Sequence, residues 1–185
     1  IRITEFDSVT YDQFASALED LEAQGMTGLV IDLRDNPGGN LDTVCDILDL
    51  ILPEGTIVST KDKNGEGETY TSDEEHKLEI PLSVLTNGNS ASASEIFAGA
   101  VQDYGVGTLV GTTTFGKGIV QQIFPLTDGT SIKLTISEYF TPKGRNIHGT
   151  GIDPDVEVEY EYNEEDPAAD NQLEKAIEIV KGNGM

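Results

Sequence analysis

The chain has 185 residues, and 34 acidic against 11 basic side chains give it a formal charge of −23. A field of this sign repels phosphate backbones and argues against a nucleic-acid partner. No apolar run reaches the roughly 20 residues that a membrane-spanning helix needs, and the single cysteine excludes an internal disulfide. The hydrophobic residues, 37% of the chain, fall in periodic runs, which predicts one packed globular domain.

Strand-like and helix-like segments alternate in the first half of the chain. The opening run starts at Ile1 without an initiator Met, which favours a piece cut from a longer protein. Thr10 and Gln13 then form a capping-box pattern, with Thr10 as N-cap, ahead of a helix that Gly25 ends. The next predicted elements are, in order, a buried strand at 29–33, a polar turn at 34–39, a helix that stops near Pro53, and a hairpin of strands 56–60 and 68–71.

The second half adds β structure to this alternation. Asp128 and Gly129 form a strong hairpin signal between two strand-like runs. The predicted elements are, in order, a buried strand at 82–86, a helix that Gly105 ends, a short strand at 108–110, hairpin strands at 122–126 and 131–136, a strand at 156–160, an acidic linker at 163–167 and a helix at 171–181. Together they predict an α/β fold without an internal repeat.

Few side chains of the usual metal-binding or nucleophilic types stand out. His76 and His148 lie outside any HExxH or CxxC pattern, which argues against a zinc site and against a Ser-His-Asp triad. Cys45 lies on the apolar face of its helix and is interpreted as a buried thiol. The acidic cluster at 73–75 could hold calcium, but a solvated loop is the better interpretation.

The loop at 111–118 comes close to the phosphate-binding GxxxxGK[ST] pattern. Gly118 stands where that pattern needs a hydroxyl for magnesium, and the following segment has the pattern of a strand rather than a helix. Nucleotide binding is therefore disfavoured. Lys117, set between two glycines, indicates a constrained backbone and needs another explanation.

A second loop, residues 89–95, joins a strand to a helix with Asn, Ser and Ala. Its simplest interpretation is a capped helix N-terminus. The functional interpretation adds that such a turn exposes a serine and free backbone N–H groups to an incoming carbonyl. Without a histidine, the serine needs another base, and a neutral lysine can serve.

These residues belong to a wider pattern. The chain resembles the carboxyl-terminal processing proteases, or tail-specific proteases, which are serine–lysine endopeptidases. The segments that carry the resemblance follow the family's order and are residues 33–39, 89–95, 115–121, 139–145 and 151–155. The resemblance implies a ClpP/crotonase-like α/β spiral with an added β-hairpin region. It places the peptidase core at 1–162, followed by an acidic linker and C-terminal helix at 163–185.

The resemblance also implies catalytic roles for individual residues. Ser92 is the nucleophile, Lys117 the general base, and Gln121 the side chain that orients the lysine. Gln122 is a second candidate, but strand alternation would point it to the opposite face. A lysine base must be neutral, and a nearby carboxylate opposes neutrality. We therefore expect Glu95 to point away from Lys117.

The oxyanion hole is implied to use backbone N–H groups. One is the amide of Ala93, and the other comes from the Pro-Gly-Gly turn, where we favour Gly38 over Gly39. The mechanism requires neither a metal nor an organic cofactor.

The family further implies an activity and a setting. The expected reaction is hydrolysis of peptide bonds near C-termini or in unfolded segments, through an acyl-enzyme, with the substrate bound as an extended strand. Family members carry an N-terminal segment and usually a PDZ domain, neither of which is recognisable in this chain. Bacterial members work outside the cytoplasm, and the parent protein can be membrane-anchored. The main alternative is a catalytically silent peptide-binding domain of the same fold.

Overall fold

A computed structural model describes residues 1–73 and 75–182, so Glu74 of the acidic cluster lies outside the described residues. The helices are α1 (Thr10–Ala23), α2 (Leu41–Asp49), α3 (Ala93–Tyr104) and α4 (Asn171–Val180). The strands are β1 (Leu29–Asp32), β2 (Gly55–Lys61), β3 (Thr69–Ser72), β4 (Leu82–Thr86), β5 (Thr108–Gly111), β6 (Ile119–Pro125), β7 (Ser131–Phe140) and β8 (Val156–Glu157). Over the described ranges, no helix is long and apolar enough to cross a bilayer.

A parallel sheet with strand order β1-β4-β5-β8 forms the centre of the molecule. Alternate side chains of its strands enter two hydrophobic clusters. Ile31 and Val84 join the cluster that contains α1, α2 and α3, whereas Leu85 and Val110 pack with Ala176 of α4. The sheet is therefore covered on both faces, which explains why every residue of β4 is buried.

A second, antiparallel sheet has the order β3-β2-β7-β6. Both predicted hairpins are confirmed, β2 with β3 and β6 with β7. β7 is longer than predicted, and its last residues pair with β2, which joins the two hairpins into one sheet. β6 is left at the edge of this sheet and begins two residues after Lys117. The predicted α/β class with an added hairpin region is confirmed, although β8 covers only two residues of the expected strand.

The predicted capping box at Thr10 and Gln13 is wrong. The N-cap of α1 is Val9, and the Thr10 hydroxyl donates to the Asp7 carboxylate instead of capping the helix. Asp7 Oδ1 also accepts the Val9 N–H, and the Thr10 hydroxyl accepts the Asp7 N–H, so both side chains are engaged with each other's turn before the helix begins. The predicted end of the helix is confirmed, since Gly25 follows it with φ of +82°.

An ion-pair network fastens the C-terminal helix to the sheet. The Arg34 guanidinium lies 2.8 Å from the Asp32 carboxylate and 2.7 Å from that of Asp170, and it lowers the pKa of Asp170. Asp170 in turn accepts the Leu173 N–H and caps α4. The network lies at the start of the polar turn at 34–39, so α4 supports the loop that borders Ser92.

Candidate active site

Ser92 lies at the N-terminus of α3, after the loop that leaves β4. Its φ of +58° and ψ of −113° lie outside the regions that L residues favour. Such strain persists only where neighbouring contacts impose it. The Ser92 hydroxyl oxygen faces the Glu95 N–H in a capping box, but the hydroxyl donates to no group within 1–73 and 75–182, so its proton is not engaged.

The Pro-Gly-Gly turn is pressed against Ser92. A Cβ added at Gly38, which has φ of +103°, would lie 2.6 Å from the Ala91 carbonyl oxygen and 2.8 Å from the Ser92 Cβ. Any side chain at Gly38 would therefore collide with the Ala91 carbonyl and with the Ser92 side chain. This close approach accounts for the first glycine of the turn.

The free amides of the site differ in part from the expected set. In the described part of the chain, the N–H groups of Ala93 and Gly39 have no hydrogen-bond partner. The Gly38 N–H donates to Asn36 Oδ1 at 2.8 Å. In this conformation Ala93 and Gly39 are therefore available to a substrate oxyanion, and Gly38 becomes available only when the Asn36 side chain releases it.

Lys117 reaches the site from a loop held by close backbone contacts. The Gly116 carbonyl accepts the Gly149 N–H at 2.8 Å. A Cβ added at Gly118 would lie 2.7 Å from the main-chain nitrogen of His148. The expected constraint on this loop is confirmed, and the segment that follows is strand β6 rather than the helix that a phosphate-binding loop requires.

One cavity of about 330 Å³ brings together four of the predicted side chains and amides. Its lining includes Ser92, Ala93, Lys117 and Gln121. Gln122 is not among the lining residues, as strand alternation predicts.

The hydrogen bonds expected between Ser92, Lys117 and Gln121 are not made in this conformation. Among the described residues, the Lys117 amine has neither a hydrogen-bond nor an ion-pair partner, so it binds neither the Ser92 hydroxyl nor Gln121. Gln121 Nε2 instead donates to the Thr135 hydroxyl at 3.4 Å. Catalytic hydrogen bonds are often long or unmade without substrate.

The Glu95 carboxylate holds the two halves of the site together. It is fully buried and accepts four hydrogen bonds. Oε2 accepts the N–H groups of Ser92 at 2.9 Å and Lys117 at 2.8 Å. Oε1 accepts the Thr114 hydroxyl at 2.6 Å and the Gly116 N–H at 2.7 Å. One anion thereby joins the start of α3 to the Lys117 loop.

This arrangement corrects the expectation for Glu95. The carboxylate does not lie apart from Lys117, because it binds the lysine's main-chain amide. The described contacts include none between Glu95 and the Lys117 amine, which was the contact that a neutral base could not tolerate. The sequence held a usable signal, since Ser-x-x-Glu is the pattern of a capping box whose glutamate binds the N-cap amide.

Tyr139 is a second residue that sequence reasoning left without a role. Its side chain is 2% exposed, and its hydroxyl lies 3.0 Å from the Ser92 carbonyl oxygen and within hydrogen-bond distance of the Lys117 carbonyl oxygen. Burial, with the Glu95 charge as a smaller cause, raises the pKa of the phenol, so the hydroxyl stays a donor. Tyr139 thus lies between the main chains of Ser92 and Lys117.

Other reactive side chains lie outside this site. Cys45 is 6% exposed, and burial raises the pKa of its thiol to about 12, which confirms the interpretation as a buried thiol. Throughout the described ranges, no three His, Cys, Asp or Glu side chains are grouped to hold a metal ion.

Comparisons with known proteins identify the family of the chain. The profile of Peptidase family S41 matches residues 1–158. A carboxyl-terminal-processing protease of Synechocystis is 45% identical over 185 residues, covering 98% of this chain and 43% of that protein. The carboxy-terminal processing protease CtpB of Bacillus subtilis is 43% identical over 159 residues, covering 85% of this chain and 33% of that protein. The chain thus spans less than half the length of these relatives.

A solved structure supports the same assignment. The photosystem II D1 C-terminal processing protease superposes with a TM-score of 0.81 at 34% identity, covering 100% of this chain and 46% of that one. This similarity confirms the ClpP/crotonase-like α/β fold that the resemblance implied. With a family profile matched over most of its length and relatives above 40% identity, the chain belongs to Peptidase family S41.

Proposed function

We propose that the chain is the catalytic core of a serine endopeptidase in which Ser92 is the nucleophile and Lys117 the general base. One observation carries the proposal: Ser92 and Lys117 line one cavity, and in the described part of the chain neither the Ser92 hydroxyl nor the Lys117 amine donates to another group. A hydroxyl on a helix N-terminus beside free amides is suited to acyl transfer.

The reaction follows from these groups. Neutral Lys117 takes the Ser92 proton while the hydroxyl oxygen attacks a peptide carbonyl. The Ala93 amide and an amide of the Pro-Gly-Gly turn, Gly38 or Gly39, bind the oxyanion, each contributing about 3–4 kcal/mol. Lys117 then protonates the leaving amine, and water hydrolyses the acyl-enzyme. Side-chain rotation of Lys117, steadied by Gln121, closes the open hydrogen bonds.

The substrate is proposed to bind as an extended strand. β6 is the edge strand of its sheet and begins two residues after Lys117, so its free backbone groups can pair with a peptide that passes Ser92. The names of relatives, which refer to C-terminal processing, favour the proposal of cleavage near C-termini. Binding as an extended strand favours cleavage in unfolded segments as well.

The setting of the whole protein is also a proposal. The relatives are more than twice as long as the segment that this chain matches in them, which leaves room for the family's N-terminal segment and PDZ domain. We place the peptidase core at 1–162 and treat 163–185 as an extension whose helix packs on the sheet. We also propose that the whole protein is anchored in a membrane and acts outside the cytoplasm, as bacterial members of the family do.

A fluorophosphonate probe with mass mapping tests the function. Wild-type protein should become labelled at Ser92 and should fragment a loosely folded protein substrate, whereas Ser92→Ala should do neither. Because the main-chain contacts of Ser92 remain, the alanine variant should stay folded, with an unfolding temperature only a few degrees lower through loss of the N-cap hydroxyl. Labelling that survives in Ser92→Ala contradicts the assignment of the nucleophile.

The open hydrogen bonds favour one alternative, a peptide-binding domain that does not cleave. In that case wild-type protein would bind extended peptides but would resist the probe at every pH. Labelling of Ser92 excludes this alternative.

Tyr139→Phe should lower kcat by about tenfold, the value of one lost hydrogen bond of roughly 1.4 kcal/mol, and leave KM nearly unchanged. The variant loses only the hydroxyl that bridges Ser92 and Lys117. Steady-state cleavage of a fluorogenic peptide measures both constants. Tyr104→Phe is the matched control, since the Tyr104 hydroxyl also donates to a backbone carbonyl, that of Thr56, away from the site. Equal kcat losses in both variants would contradict a positioning role for Tyr139.

A further inference from the structure

The cavity at Ser92 has an unusual charge for this chain. Among the described residues that line it, Lys117 and Lys133 are the charged ones, and none is acidic. The chain as a whole has 34 acidic and 11 basic side chains. Four other cavities in the same described ranges each have at least one carboxylate in their lining. Acidic groups are thus kept out of the Ser92 cavity, while a second lysine is brought in.

Strand register explains how Lys133 enters the cavity. It lies on β7 opposite Ile123 of β6, and the next pair on the same face of the hairpin is Thr135 with Gln121. Ile132 and Leu134 fall on the opposite face. Lys133 therefore stands one step along the hairpin from Gln121, on the side that faces Ser92.

The Lys133 amine is available to a ligand. Within 1–73 and 75–182 it forms no ion pair and no hydrogen bond. Lys117 must be neutral when it acts as the base, so Lys133 supplies the positive charge of the cavity during the reaction. Glu95 does not offset it by contact, because that carboxylate is buried and already accepts four hydrogen bonds.

We propose that Lys133 binds a carboxylate of the substrate within a few residues of the scissile bond. The inference rests on the proposed peptidase function and names a substrate class for it, peptides with an acidic group at one subsite. The carboxylate can come from an Asp or Glu side chain or from the C-terminus of the substrate. A lysine ammonium acts here as a point charge that either source satisfies.

A preference for acidic rather than basic peptides distinguishes local contact with Lys133 from the long-range field of the chain. A net charge of −23 repels acidic peptides at long range, so the field of the whole chain favours basic substrates. A preference for an acidic group at one position must therefore come from local contact. Lys133 is the cation placed for that contact.

The test compares peptides that differ by one group. A cleaved unstructured peptide is made with Glu or Gln at each position flanking the scissile bond, and with a free or amidated C-terminus. Wild-type protein should favour Glu at one position, or the free C-terminus, by roughly threefold to fivefold in kcat/KM, mainly through KM. The comparison of Glu with Gln detects a side-chain carboxylate, and the comparison of a free with an amidated C-terminus detects the terminal carboxylate.

Variants of Lys133 then assign the preference. Lys133→Met should bring the ratio to about one, and Lys133→Glu should reverse it in favour of a peptide with Lys at that position. Lys63→Met is the matched control, because Lys63 is an exposed lysine in the loop between β2 and β3, and it should keep the wild-type ratio. A ratio that stays at the wild-type value in Lys133→Met overturns the proposal, as does the lack of an acidic preference at every position.

A binding measurement tests the role of Lys133 independently of whether the protein cleaves peptides. The same peptides, carrying a fluorophore, are titrated by anisotropy into Ser92→Ala and into Ser92→Ala combined with Lys133→Met. Tighter binding of the acidic peptide that depends on Lys133 supports the inference even when wild-type protein fails to cleave. Cleavage without any effect of Lys133 on either measurement overturns the inference and leaves the peptidase function intact.

Discussion

Replacing Lys117 with methionine is expected to lower kcat/KM for peptide cleavage by roughly 10³-fold or more, because the variant lacks the proposed base. The fold should be unaffected. Glu95 accepts the Lys117 N–H, and the Lys117 carbonyl is the group within reach of the Tyr139 hydroxyl. Both contacts use main-chain atoms, so the loop keeps its place when the amine is removed. Methionine also preserves the apolar part of the side chain.

The measurement pairs activity with stability. Cleavage of a fluorogenic peptide and the rate of labelling by a fluorophosphonate should both fall, while the thermal unfolding midpoint stays within a few degrees of wild type. Lys143→Met is the control, since Lys143 is an exposed lysine away from the Ser92 cavity. Residual cleavage within tenfold of wild type would show that another group takes the Ser92 proton.

Local patterns predicted most of the framework. The glycine at 105, in the left-handed region, ends α3 as expected, and the turn at Asp128 and Gly129 joins β6 to β7. Such features depend on neighbours within a few positions of the chain, which a single sequence displays. Family resemblance then indicated which segments meet, and the structure brings Ser92, Lys117 and Gln121 to one cavity.

The parts that could not be predicted depend on contacts between distant positions. Glu95 binds groups of the Lys117 loop 19 to 22 positions away, and the Tyr139 hydroxyl reaches the Ser92 carbonyl 47 positions away. Periodicity shows whether a side chain is buried, but it does not show which backbone groups face it there. The sequence alone therefore predicts that a carboxylate near the lysine opposes its neutrality, whereas the structure shows its oxygens occupied by three donors of the Lys117 loop and by the Ser92 N–H.

Glu95→Gln is expected to have the second large effect, on stability as well as on activity. The carboxylate is an acceptor at both oxygens, whereas the amide offers one acceptor and one NH₂ donor. In either orientation, the NH₂ group faces a backbone N–H, that of Gly116 on one side or those of Ser92 and Lys117 on the other. Hydrogen bonds to a charged group contribute about 1.5–3 kcal/mol each, so the variant should lose about 3 kcal/mol of unfolding free energy.

Loss of these bonds should also slow catalysis, by roughly 10²-fold, because the nucleophile and the base would no longer be held in a common frame. Urea unfolding gives the stability change, and amide hydrogen exchange at Gly116 and Lys117 should rise well above wild type. Glu19→Gln, on the exposed face of α1, is the matched control and should leave all three measurements unchanged. Wild-type exchange at Gly116 and Lys117 in the Glu95 variant would mean that the other contacts of the loop, with residues 148–151 and with Tyr139, are enough to hold it, and that the buried carboxylate is not what joins Lys117 to Ser92.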